Sequence, residues 1–194
     1  MNIEQRLAKW ARVEMTYDAR GLPERDKRFL QKLIEASRYM DEAFWRQSWS
    51  GAVEVRDRLR ALESERSLLR LVNIMAGPYD RLEEFEPFLD LPPKPLGAGF
   101  YPDDLTKEEF ERCLACHPEQ RESLLSPYTV VKREGDNLIA VPYHEEYREF
   151  VEPASRLLKE AAELTDNRSL ERYLTSRAEA LLIDDYYQSD IDWI

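Results

Sequence analysis

The sequence predicts a mainly α protein: an antiparallel helical bundle with one small β-hairpin and a long, ordered, proline-rich arm. Three observations carry that expectation. Apolar residues recur at helical spacing over most of the chain. Two β-prone runs, Tyr128-Thr129-Val130-Val131 and Leu138-Ile139-Ala140-Val141, flank a turn-forming stretch. Pro78, Pro87, Pro92, Pro93, Pro95 and Pro102, six of the eleven prolines, crowd into residues 77–105. The whole is read as a single mostly helical domain over 1–194. Along it lie a helical pair with its N-terminal lead (1–76), the arm (77–105), a short helix plus hairpin (106–142) and a C-terminal helical pair (143–194).

At the N-terminus, Ile3, Leu7, Trp10 and Ala11 share a helical face, and the pattern stops near Thr16-Tyr17-Asp18. Pro23, Glu24 and Asp26 then suit the first turn of a helix, whose positive end favours acids. Leu30, Leu33, Ile34, Ser37, Met40 and Phe44 extend one face of it, predicting a helix over 23–49. Beyond Ser50-Gly51, Val55, Leu59, Leu62, Leu69 and Val72 form a stripe over 52–76, closed by Gly77-Pro78. The two helices are expected to pack through Leu33, Met40, Phe44, Leu59, Leu62 and Leu69.

In the arm, proline and glycine nearly exclude regular structure. Tyr79, Leu82, Phe85, Phe88, Leu89, Leu91, Phe100 and Tyr101 nevertheless argue for order, because a disordered linker is poor in such residues. Thr106-Lys107-Glu108-Glu109 reads as a capping box opening a helix to Cys116. Arg133 to Asn137 supplies the hairpin turn. Helical spacing resumes after Pro142 as far as residue 164, with a kink or a new start expected at Pro153. A last helix is expected over 168–187.

With 28 Lys and Arg against 39 Asp and Glu, the net charge is −11. Phosphate backbones and anionic lipid are therefore poor partners, since counterion release needs a basic face. No apolar run approaches the ~18 residues a membrane span requires, and Met1-Asn2-Ile3-Glu4 opens no signal peptide, so the reading is cytoplasmic.

Cys113-Leu114-Ala115-Cys116-His117 matches the haem-attachment pattern Cys-x-x-Cys-His, but that chemistry belongs to exported proteins. A zinc site from Cys113, Cys116, His117 and His144 would need four ligands brought together, and only one Cys pair is present. A redox pair would open a helix rather than close one. The bland alternative is two half-buried thiols at a helix end stopped by Pro118. His144-Glu145 resembles the start of His-Glu-x-x-His, but Arg148 replaces the second histidine, which leaves a solvent-facing His at a helix start. Asp184 to Asp192 is acidic but lacks the glycine and spacing of a calcium loop, and reads as a solvated helix end. No glycine-rich phosphate cradle occurs.

Six runs, taken together and in order, resemble a known family. They are Val13 to Asp18; Leu33 to Gln47 (LIEASRYMDEAFWRQ); Gly77 to Leu82 (GPYDRL); Gly97 to Phe110 (GAGFYPDDLTKEEF); Ser126 to Val130 (SPYTV); and Asp184 to Asp190 (DDYYQSD). The resemblance is to the N-terminal part of bacterial and archaeal dipeptidyl peptidase III-like zinc hydrolases, the M49 peptidases, and it covers most of the chain. It implies zinc-dependent release of dipeptides from peptide N-termini, through a His-Glu-x-x-Gly-His helix and a downstream Glu-Glu-x-x-Ala-Glu segment. Neither motif lies within residues 1–194, and the first needs two histidines five apart where this chain has only His117 and His144. No catalytic, cofactor-binding or metal residue is therefore carried over, and zinc is expected only in the rest of such a protein. Some relatives are labelled Nudix hydrolases, but the Arg-Glu-x-x-Glu-Glu helix of that chemistry is missing.

The chain stops at Asp192-Trp193-Ile194, whose two large apolar side chains would each forfeit roughly 1.5–3 kcal/mol if left exposed. The expectation is thus part of a longer peptidase: a non-catalytic helical scaffold and one wall of a peptide cleft. The alternative is a stand-alone helical interaction module for an unknown protein partner. Tyr79, Arg81, Phe100 and Tyr101, in the arm, are the candidate contacts with a peptide or with the remainder of the peptidase. Gly97 and Gly99 would let backbone approach closely, while the two adjacent rings offer rigid area at low entropic cost. Equally, both rings could simply pin the arm.

Overall fold

Asn2 caps the first helix, α1 (Ile3–Leu7), by a reciprocal box in which its side chain accepts the Gln5 N–H and the Gln5 side chain accepts the Asn2 N–H. The computed structural model describes residues 1–194 and contains ten helices and two small two-stranded sheets. The fold is mainly α, as the apolar spacing predicts. α2 (Glu24–Ser48) begins one residue after Pro23. The helix expected over 52–76 is instead two, α3 (Ala52–Arg60) and α4 (Arg66–Met75), joined by a short 3-10 turn at Glu63–Glu65.

Within the arm, β1 (Tyr79–Asp80) pairs antiparallel with β2 (Glu86–Pro87). α5 (Lys107–Cys116) starts on Thr106, whose hydroxyl accepts the Glu109 N–H at 3.1 Å. The Glu109 carboxylate serves Arg133. An unforeseen α6 (Arg121–Leu124) precedes the hairpin of β3 (Thr129–Glu134) and β4 (Asn137–Pro142), whose turn carries Gly135 at φ 60°. α7 (Tyr143–Glu146) and α8 (Arg148–Ala162) divide at Tyr147, and Pro153 lies inside α8. α9 (Arg168–Ala180) ends seven residues earlier than the spacing predicts. A turn containing Asp184 at φ 57° leads into α10 (Tyr187–Trp193). No helix is long and apolar enough to cross a membrane.

The contacts group into two compact units, each assembled from three stretches. The first comprises Met1–Met15, Phe44–Pro118 and Val131–Leu138. Its core gathers Trp45, Ala52, Val55, Leu59, Val72 and Ala76, and a neighbouring cluster joins Leu7, Leu71 and Met75, with Phe88 packed against both. The buried Arg56 guanidinium lies 4.8 Å over the Trp45 ring.

The second unit comprises Thr16–Ala43, Glu119–Val130 and Ile139–Ile194. Ala36, Ala43, Val130, Tyr147, Phe150, Val151, Ala154, Leu157 and Leu181 form one cluster; Ala161, Ala162 and Leu174 form another with Phe29 and Leu33. Small side chains let α8 and α9 meet closely: Ala154 and Ala178 are fully buried, and the Ser155 hydroxyl donates to the Ala178 carbonyl at 2.6 Å.

These cores correct the helix pairing expected from the sequence. Leu33 packs in the second unit, Met40, Phe44 and Leu62 are exposed, and Trp45 meets Leu59 in the first. Leu30 and Ile34 also face solvent, because α2 buries its flank of small residues, Ala36 and Ala43, against its neighbours.

Candidate functional site in the proline-rich arm

Ala76 and Gly77 end α4 in the left-handed region, at φ 53° and 149°, with the Gly77 N–H bonded to the Val72 carbonyl at 3.1 Å. That exit aims the arm inward, so Tyr79 is buried. Its ring meets Trp49 edge-on at 5.5 Å, and its hydroxyl donates to the Pro92 carbonyl at 3.4 Å. Burial, aided by the charge of Asp103, pushes the Tyr79 phenol above its ordinary pKa.

Asp80 organises the tip. One carboxylate oxygen accepts the Leu82 N–H at 2.9 Å, and the other meets the Arg6 guanidinium at 2.5 Å, with both side chains almost wholly buried. Arg6 also holds Glu86 at 2.6 Å, and Lys9 pairs with Glu83. The tight return from β1 to β2 forces Glu84 and Phe85 to φ 50° and 62°, a costly conformation for residues with side chains.

The arm returns on Gly99, whose N–H donates to the Gln47 carbonyl at 3.0 Å; a Cβ there would fall onto the Arg46 carbonyl oxygen. The Phe100 carbonyl accepts the Val131 N–H at 2.8 Å. The half-buried Tyr101 ring packs edge-on to Phe110 at 5.6 Å, with its Cβ directly over Gly97. Asp103 accepts from the Ser50 hydroxyl, and Arg133 grips Asp104 and Glu109.

Of the four arm residues singled out by sequence, then, Tyr79 packs inward and Phe100 and Tyr101 strap the arm. Arg81 is the exposed one, its guanidinium 5.3 Å over the Phe44 ring. Sequence reasoning missed Lys94, although it is the only basic residue between Arg81 and Lys107. Its ammonium lies 4.3 Å over the Phe85 ring. Burial first, and the nearby Arg81 charge second, push its pKa below the ordinary lysine value. Phe85, Pro87, Pro93, Lys94, Pro95, Leu96 and Ala98, with Glu84 and Glu86, line a pocket of about 430 Å³.

The other candidates disperse. Cys113 is half-buried and Cys116 exposed, both as free thiols at the end of α5. In the second unit, His144 is not a freely solvated side chain. Its ring Nδ1 lies 2.7 Å from Asp184, whose same oxygen accepts the His144 backbone N–H at 3.1 Å. Nor is the acidic tail simply solvated, since Asp190 pairs with Arg177 and Asp192 with Arg172. No three His, Cys, Asp or Glu side chains converge in an arrangement that could hold a metal ion.

The ion pairs set an acid limit. Hydrogen bonding to Arg6 holds the Glu86 carboxyl below its usual range, and hydrogen bonding to Arg133 does the same for Asp104 and Glu109. A carboxyl depressed in the folded state adds stability that is complete above its unfolded pKa and vanishes as pH falls through its lower folded value. The urea midpoint is therefore expected to stay level above about pH 6 and to fall between about pH 4.5 and pH 3. A midpoint unchanged over that interval would show that the pairs contribute nothing.

No protein-family model matches the sequence. The fold is similar to that of dipeptidyl peptidase III from Caldithrix abyssi, with a TM-score of 0.90 and 43% identity over 98% of this chain and 37% of that one. The dipeptidyl peptidase III of Corallococcus sp. strain EGB gives 0.87 and 36% identity, over 98% and 36%. Among curated proteins, Nudix hydrolase 3 of Arabidopsis thaliana is 28% identical over 248 residues, covering all of this chain and 32% of that protein. The chain thus spans about a third of the length of the relatives it matches. The resemblance to a dipeptidyl peptidase III-like protein holds in both sequence and fold.

Proposed function

We propose, from the premise that this chain matches part of a dipeptidyl peptidase III over nearly all of its own length, that it is the N-terminal, non-catalytic helical part of an M49-like zinc-dependent dipeptidyl peptidase of the cytoplasm. It serves there as scaffold and as one wall of the peptide cleft. The observation that carries this reading is the agreement of fold at 43% identity, since at that level a shared architecture reflects shared residues as well as general helical packing. The partners are the remainder of the peptidase and the peptide itself. A net charge of −11 argues against nucleic acid and anionic membranes.

The His, Cys, Asp and Glu residues here do not fit a zinc site, so the metal of such a peptidase would be held by other residues. When bound, zinc would polarise the scissile carbonyl and activate water. This chain would contribute shape and binding: a rigid arm pinned by Tyr79, Phe100 and Tyr101, with Arg81 and Lys94 offering positive charge.

The test is a chimera in which this chain replaces the matching segment of the Caldithrix abyssi enzyme. A folded chimera that releases dipeptides from a peptide substrate supports the reading, and a folded chimera without activity overturns it. The isolated chain is expected to release no dipeptide and to carry no stoichiometric zinc or haem, as measured by elemental analysis and a visible spectrum. One zinc per chain would overturn the placing of the metal elsewhere.

A further inference from the structure

Two cations of the arm, Arg81 and Lys94, combine an aromatic contact with the lack of an ion pair. Each is held over an aromatic face, Arg81 on Phe44 and Lys94 on Phe85, and neither forms an ion pair with a carboxylate. They lie close enough for the Arg81 charge to act on Lys94. Lys94 therefore keeps a positive charge that no carboxylate neutralises. Lys94, and not Arg81, lines the arm pocket of about 430 Å³, a volume within the range of small-ligand sites, whose apolar lining is Phe85, Pro93, Pro95 and the solvent-exposed Leu96. The two glutamates on its lining do not neutralise Lys94. Glu86 is already engaged by Arg6, and Glu84 is solvent-exposed and forms no ion pair with Lys94.

We infer that this pocket binds the C-terminal residue of a peptide, its carboxylate against Lys94 and its apolar side chain among Phe85, Pro93, Pro95 and Leu96. A C-terminal residue carries both groups on one carbon, so a single small pocket beside a cation satisfies them together. An internal Asp or Glu would bring chain in both directions and no apolar group at that distance. The inference concerns the arm alone and stands whether or not the chain belongs to a peptidase.

The test titrates the isotope-labelled full chain with N-acetyl-leucine and, separately, with N-acetyl-leucinamide, which keeps the side chain and lacks the charge. The acid is expected to shift the backbone amides of Phe85, Lys94, Leu96 and Ala98 saturably at millimolar concentration. The amide should bind at least about tenfold more weakly, as loss of a charge-assisted contact requires. Lys94→Met should abolish the preference and Lys94→Arg should restore it, while Lys159→Met, in the other unit, should leave it intact. The same spectra report whether each variant is folded. Equal shifts from acid and amide, shifts that map elsewhere, no saturable shift at all, or an unaltered preference in folded Lys94→Met would each overturn the proposal.

Discussion

Arg6→Met is expected to lower the unfolding free energy by about 3–5 kcal/mol, the typical cost of removing one partner from a buried ion pair. The Arg6 and Asp80 side chains are only 3% and 1% exposed, so the substitution strands the Asp80 carboxylate where water cannot reach it. Loss of the Glu86 contact adds little, because that carboxylate is largely in solvent and pairs of this kind contribute at most about 1 kcal/mol. The double variant Arg6→Met, Asp80→Asn should recover most of the loss. Asn keeps the oxygen that accepts the Leu82 N–H while removing the buried charge. Urea denaturation of the three proteins measures both steps. A single variant within about 1 kcal/mol of wild type would mean that the pair is hydrated in solution.

Leu71→Ala is expected to cost about 2–5 kcal/mol, and Leu62→Ala less than about 0.5 kcal/mol. Leu71 is wholly buried beside Leu7 and Met75, whereas Leu62 is 47% exposed. An unbroken helix over 52–76 would place Leu62 in the packed stripe and omit Leu71. The two substitutions therefore discriminate directly between that helix and the broken α3 and α4. Equal denaturation midpoints would contradict the break.

Where a signal is local and chemical, the sequence carried it. Pro23 and Ser50-Gly51 bracket α2, Thr106 opens α5, and Gly135 turns the hairpin, because each acts on backbone within a few residues. The break between α3 and α4 falls at Ala61-Leu62, with no Gly or Pro to announce it, while Pro153, where a kink or a new start is expected, starts no new helix and lies inside α8. Faces were harder than boundaries. Periodicity finds an apolar arc, but which edge is buried depends on how closely a partner can approach, and on α2 the alanines decide that against Leu30 and Ile34. Most of the site was illegible for the same reason. Arg6 with Asp80 and His144 with Asp184 join residues 74 and 40 apart, a separation on which no local period reports. Lys94 left one readable trace, a solitary base in an acidic, proline-rich stretch.

The two compact units interleave along the chain, which passes from one to the other at residues 15, 43, 118, 130 and 138. No single backbone cut can therefore separate them. Removing residues 139–194 would spare the first unit but take most of the second, and leave 16–43 and 119–130 as long insertions without partners. No terminal deletion isolates the second unit at all. During synthesis the first unit cannot close until Leu138 has emerged, nor the second until the last helix has. Each must then close long loops before most of its contacts form, and that entropic delay slows folding. Refolding of this chain should accordingly be slower than its high helix content suggests, with neither unit acquiring protected amides long before the other.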